Sequence, residues 1–93
     1  MLKQVDITYE GTVQGVGFRW AAQEAAMSSG VVGWVKNLTD GTVRVLCEGE
    51  EHNIEIFMNK IKKVMNHYIS SSNVKWGKPT GKFDTFSIEF DYS

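Results

Sequence analysis

Val5, Ile7 and Tyr9 alternate with Asp6, Thr8 and Glu10. A period of two sends the first set to one face of a strand and the second to the other, so a half-buried strand opens the chain. After a glycine-rich stretch, residues 18–29 (FRWAAQEAAMSS) are rich in helix formers. Phe18, Ala22, Ala25, Ala26 and Ser29 fall on one helical stripe, and Gly30 suits the C-terminal cap. Residues 31–38 (VVGWVKNL) are β-branched and aromatic and predict a second strand. Thr39, Asp40 and Gly41 form a tight-turn signal. Residues 42–48 predict a third strand with Val43, Val45 and Cys47 on one face, completing a hairpin. Ile54, Phe57, Met58, Ile61, Val64 and Met65 then recur at three- and four-residue spacing, the clearest amphipathic helix in the chain. Residues 70–73 (SSSN) break it, residues 74–76 predict a short strand, and residues 77–81 a loop. Phe86, Ile88, Phe90 and Tyr92 alternate with Ser87, Glu89 and Asp91, predicting a closing strand.

The order is strand, helix, strand, strand, helix, strand, with an extra strand-like tail. Two helices that each have one apolar face must share one side of the sheet. Two right-handed crossovers joined by a central hairpin predict an α+β fold, a ferredoxin-like split βαβ sandwich with both helices on one face of an antiparallel sheet. With 93 residues and no linker or repeat, residues 1–93 are expected to form a single domain.

Composition narrows the function classes. Lys+Arg is 10 and Asp+Glu 11, a net charge of −1, which argues against binding nucleic acid over a broad basic face. The single cysteine, Cys47, permits no intrachain disulfide and fits a reducing cytosol. Met1, Leu2, Lys3 and Gln4 run straight into the first strand pattern without a leader-like segment. No apolar run approaches the roughly 20 residues of a membrane span. A cytoplasmic, soluble monomer without a membrane or nucleic-acid partner is the expectation.

The candidate chemistry lies between the first strand and the first helix. Residues 11–20 (GTVQGVGFRW) hold three glycines, no carboxylate and one arginine. Glycines allow positive φ and close approach of backbone to a ligand. The first N–H groups of a helix lack internal partners, and its dipole favours an anion there. Successive amides form a nest for phosphate or sulfate oxygens, and an arginine adds a planar clamp for the same oxygens. Gln14, Gly15, Val16, Gly17, Phe18 and Arg19 therefore read as a cradle for one phosphoryl-sized dianion. A plain strand-to-helix connection with a surface arginine is the alternative. The spacing matches neither the dinucleotide fingerprint nor the Walker loop.

Residues 13–19 (VQGVGFR) resemble the signature loop of the acylphosphatase family. Residues 33–50 (GWVKNLTDGTVRVLCEGE) resemble its second signature, and residues 81–90 (GKFDTFSIEF) are similar to its closing strand. The resemblance spans nearly the whole chain. It implies a ferredoxin-like fold and metal-independent hydrolysis of small acyl phosphates, such as acetyl or carbamoyl phosphate, to a carboxylate and phosphate, without a cofactor. It places the family's catalytic arginine on Arg19, its catalytic asparagine on Asn37 and its phosphate loop on residues 14–18. The link HYISSSN departs from the glycine- and proline-rich connection usual in the family. Trp20 and Ala21 stand where other aromatic residues are frequent.

The implied chemistry agrees with these residue types. The leaving carboxylate has a pKa of roughly 4 to 5 and departs without a proton, so no general acid is needed. Phosphoryl transfer asks mainly for positioning and charge stabilisation. An asparagine amide orients water without acting as a base. Asn37 also has the plain reading of a residue capping the turn that follows it.

The remaining candidates read as structural. His52 and His67 have no metal-ligand spacing and are expected on the surface, and no metal site is read. Cys47 is expected in the core. Glu48, Glu50 and Glu51 read as an acidic run at a helix start, and Lys60, Lys62 and Lys63 as a solvated helix face. Met27, Met58 and Met65 read as packing residues. Trp34 and Trp76 read as packing residues that border a site mouth at most. Two other functions stay open at this point: an anion-binding module without turnover, and an RNA-binding sheet of the same topology.

Overall fold

Val5, Ile7 and Tyr9 are buried and Asp6 and Thr8 are not, because β1 (Leu2–Gly11) presents the first set to a layer of helices. The computed structural model describes residues 1–90. Tyr92 and Asp91, expected in the closing strand, lie outside the described residues. The elements are β1, α1 (Phe18–Ser29), β2 (Val32–Asn37), β3 (Val43–Glu50), α2 (Glu51–Met65), β4 (Ile69–Gly77) and β5 (Phe86–Glu89). The sheet order is β4-β1-β3-β2-β5. Both helices pack on one face, α1 over β2 and β5, and α2 over β3 and β1. The core lies between the layers. Val35, Val43, Val45, Cys47 and Phe86 meet Phe18, Ala22 and Ala26 of α1 and Ile54, Phe57 and Ile61 of α2.

The expected split βαβ sandwich is therefore present, with one correction: the sheet is mixed. β1 pairs antiparallel with β3 and β4, and β2 with β3, but β5 runs parallel to β2, Gly33 opposite Phe86. Residues 78–85 cross from one sheet edge to the other at a single end of the sheet. β5 is thereby delivered in the direction of β2.

A second correction concerns residues 70–73. They do not form a break but belong to β4, with Ser71, Ser72 and Asn73 opposite Glu10, Tyr9 and Thr8. Ladder hydrogen bonds join backbone to backbone, and an edge strand tolerates polar side chains on both faces. Val64 and Met27, expected to pack, are exposed, whereas Met65 is buried and Met58 partly so. His52 and His67 are exposed. Cys47 is buried, and burial, helped by the Glu48 charge, pushes its thiol up to about 12. At neutral pH it is a protonated core residue.

The acidic run divides. Glu50 is the N-cap residue of α2 and Glu51 lies in its first turn, bonded to Lys3 at 2.9 Å. Glu48 instead points to the sheet face away from the helices and is only 4% exposed. Its carboxylate accepts from Gln4 Nε2 (2.7 Å), Thr80 N–H (2.8 Å), Thr80 Oγ1 (2.9 Å) and Gly81 N–H (3.0 Å). It ties the crossover to the sheet and so fixes where β5 begins. Desolvation pulls the Glu48 pKa upward, but the bonds from Thr80, Gln4 and Gly81 outweigh it and hold the carboxyl below its ordinary 4.5. A depressed folded pKa means that the stabilisation is complete above the unfolded value and lost as pH falls through the folded one. Glu48→Gln is expected to cost about 2 kcal/mol at pH 7, a fall in Tm of roughly 10 °C. Thermal melts should show the gap to wild type closing as pH drops below 4.5. A gap that stays constant through acid pH would count against the carboxylate tie.

Candidate active site

The turn between β1 and α1 holds two residues in the left-handed region, Gly15 at φ 77° and Gly17 at φ 81°. A Cβ on either would meet nothing within 4 Å. The backbone conformation, not crowding, therefore requires glycine, and the space in front of both is open. Gly17 caps α1 without any side-chain hydrogen bond, and the helix begins with Ala21 N–H donating to Gly17 O at 3.0 Å. The N–H groups of Phe18, Arg19 and Trp20 thus have no partner within the helix. The first turn carries no acidic residue. The positive end of the α1 dipole is consequently left without a side-chain anion.

The chain has two arginines, Arg19 and Arg44. Arg44 is committed, its Nε and Nη2 donating to both oxygens of Asp6 at 3.0 and 2.6 Å, and that bond raises its pKa. Arg19 has no carboxylate partner among the described residues. Its guanidinium lies 5.5 Å from the centre of the Phe90 ring. Stacking orients the guanidinium plane and leaves its N–H edges to face oxygens.

Asn37 ends β2. Its Oδ1 is buried and has no hydrogen-bond donor among the described residues. Such an orphaned acceptor costs about 1–3 kcal/mol. The neighbouring backbone is anchored: Gln14 Nε2 donates to Leu38 O at 2.8 Å and to Thr42 O at 2.9 Å, while Leu38 N–H donates to Thr42 O at 2.9 Å. One glutamine thereby clamps the glycine turn to the β2–β3 hairpin.

These groups converge. Gly15, Gly17, Phe18, Arg19 and Asn37 line one open cavity of about 290 Å³, together with Val13, Trp20, Ile88 and Phe90. Gln14 and Val16 do not line it. Gln14 braces the turn, and Val16 packs against the core. Phe18 is buried with its ring 4.9 Å from that of Tyr9, so it anchors the helix start. Trp34 and Trp76 stand elsewhere, Trp34 between Lys36 and Arg44 on the open sheet face. The aromatic at the rim is Trp20. The sequence marked Trp20 only as a departure from the family pattern, and Ile88 and Phe90 only as strand residues. The signal for the last two was their alternation in β5; their neighbourhood came from the crossover. Among the described residues the lining contains no His, Cys, Asp or Glu.

A family model described as Acylphosphatase matches residues 5–88. The chain belongs to the acylphosphatase family. It is 39% identical over 92 residues to an acylphosphatase of Lactobacillus johnsonii, covering 96% of this chain and 100% of that one. It is also 39% identical over 85 residues to an acylphosphatase of Geotalea uraniireducens, covering 90% and 93% of the two chains. Among solved structures, the acylphosphatase from Bacillus subtilis superimposes with a TM-score of 0.85 at 34% identity, covering 96% of this chain and 99% of that one. The acylphosphatase reaction is hydrolysis of acyl phosphates to a carboxylate and phosphate, and this chain is an enzyme of that class.

Proposed function

We propose that Arg19 and the amides of residues 15–19 hold the phosphoryl group of a small acyl phosphate, and that Asn37 aims the attacking water. One observation carries this reading. An uncapped helix start, an arginine without a carboxylate partner among the described residues and an asparagine with an orphaned amide oxygen border the same cavity. The water oxygen attacks phosphorus while the bond from phosphorus to the acyl oxygen breaks, its electron pair leaving on the carboxylate. That carboxylate has a conjugate-acid pKa of roughly 4 to 5 and departs unprotonated. The proton of the water passes to a phosphoryl oxygen, since the lining among the described residues offers no carboxylate or imidazole. Arg19 and the helix-start amides meet the charge that builds on the equatorial oxygens.

Among the described residues the same lining offers no carboxylate, imidazole or thiolate to hold a divalent cation, in keeping with a reaction independent of metal. Both helices share one core with the single sheet, which supports a single domain over residues 1–93. The lone buried cysteine fits the cytoplasm. No helix among the described residues is long and apolar enough to cross a membrane. On the open sheet face Trp34 is flanked by Lys36 and Arg44 with Asp6 paired to the latter, an arrangement that suits a satisfied surface better than base stacking. Inorganic phosphate or sulfate is the expected competing anion.

Hydrolysis of benzoyl phosphate in excess chelator tests the reading. Turnover is expected to be unchanged by the chelator and inhibited competitively by inorganic phosphate. Turnover abolished by chelator and restored by a divalent cation would overturn metal independence. Absent turnover, with phosphate still raising Tm, would leave an anion-binding module.

A further inference from the structure

The phosphoryl assignment leaves part of the cavity unused. Beyond the glycines, Arg19 and Asn37, its described lining is apolar: the buried Val13 and Phe18 form the floor, and the more exposed wall is Trp20 in the first turn of α1 with Ile88 and Phe90 at and just beyond the end of β5. Trp20 is 65% exposed, although its helical neighbours Phe18 and Ala22 are buried. Core packing therefore does not account for an indole at this position. Phe90 lies against the Arg19 guanidinium. The wall thus begins where the phosphoryl clamp ends.

Geometry of the substrate class does the rest. In an acyl phosphate a single bridging oxygen separates phosphorus from the carbonyl carbon. A phosphoryl group held by Arg19 must place its acyl group within a few bond lengths of that clamp. Among the described residues, the surface of the cavity left for it is the apolar one. At about 290 Å³ the cavity sits at the small end of ligand pockets, which run from roughly 300 to 1,000 Å³. It suits a phosphoryl group with one compact acyl group. Among the described residues no charged side chain other than Arg19 lines it, so a charged acyl group would lose hydration there without gaining a partner from them.

We propose that Trp20, Ile88 and Phe90 form an acyl-group subsite that selects acyl phosphates with a planar, apolar acyl group over those with a small aliphatic one. The subsite rests on the reading that Arg19 and the loop amides hold the phosphoryl end. Trp20 stacks on or abuts the acyl plane, and Ile88 closes the opposite side. Trp20 and Ile88 determine specificity and take no part in bond making.

The test is the ratio of kcat/KM for benzoyl phosphate to that for acetyl phosphate, measured on the full chain. Using a ratio of ratios removes the different intrinsic reactivity of the two compounds. Trp20→Ala is expected to lower the wild-type ratio about tenfold, and Trp20→Phe to restore most of it. Ile88→Ala, on a separate element, should move the ratio in the same direction by about threefold. An exposed tryptophan is a mild site for substitution, and Tm of each variant verifies folding. A ratio unchanged by Trp20→Ala and Ile88→Ala overturns the subsite, whether or not both rates fall together. A different result marks failure of the underlying assignment: inorganic phosphate that does not compete with either substrate in the wild type.

Discussion

Arg19→Ala is expected to lower kcat/KM for acyl phosphates by about 10³-fold or more, the scale seen when a phosphoryl-clamping arginine is lost. The same change should weaken competitive inhibition by phosphate, because the proposed clamp would contact oxygens present in both ground and transition states. Stability should hardly move. Arg19 is partly exposed and makes no ion pair among the described residues, so no buried carboxylate is stranded by its removal. Arg19→Lys keeps the charge but loses the planar fork, and only partial recovery is expected. Arg44→Ala supplies the contrast: it breaks the bidentate pair with Asp6 on the open face and should affect Tm more than turnover. Steady-state kinetics with phosphate inhibition checks the set. Arg19→Ala that retains turnover within tenfold of wild type would remove this residue from the phosphoryl clamp.

Asn37→Ala should show the opposite division between binding and rate. If the amide aims water, its loss costs about 10²–10³ in kcat, as for other preorganised polar groups, with phosphate inhibition nearly intact. Stability adds an independent sign. Asn37 Oδ1 is buried without a donor among the described residues, and truncation to a methyl removes that unmet acceptor. Tm is expected to stay level or rise, in keeping with the tension between stability and activity at catalytic positions. A plain turn-capping asparagine predicts a lower Tm and little change in rate, so the two readings separate in a pair of measurements. Parallel loss of turnover and phosphate inhibition would place Asn37 on the phosphoryl group instead of the water.

Most of the site was readable along the chain because its parts are local. Two glycines ahead of a helix and an arginine in its first turn define an uncapped, cationic helix start from sequence neighbours alone. Gln14, counted in the phosphate loop, also braces that loop against Leu38 and Thr42 through its side chain. That bond spans more than twenty positions, and nothing in the turn itself announces it. Glu48 was placed with Glu50 and Glu51 at a helix start. Its partners, Gln4, Thr80 and Gly81, are supplied by the neighbouring strand and the crossover.

What the amino-acid sequence determined by itself was which residues face inward. Val5, Ile7 and Tyr9, the stripe from Phe18 to Ala26, and Ile54, Phe57 and Ile61 are buried as their periods require. A period of two or of 3.6 is a property of neighbouring residues and of backbone geometry, so it survives without knowledge of the fold. Tertiary structure alone decided who pairs with whom at the edges: the serine run as β4, β5 parallel to β2, and Ile88 and Phe90 brought beside Arg19 and Trp20. Those placements rest on backbone hydrogen bonds that any side chain permits and on a crossover of residues 78–85 pinned by Glu48. The proposed phosphoryl clamp is local and legible. The acyl wall is assembled from chain ends that meet only after folding.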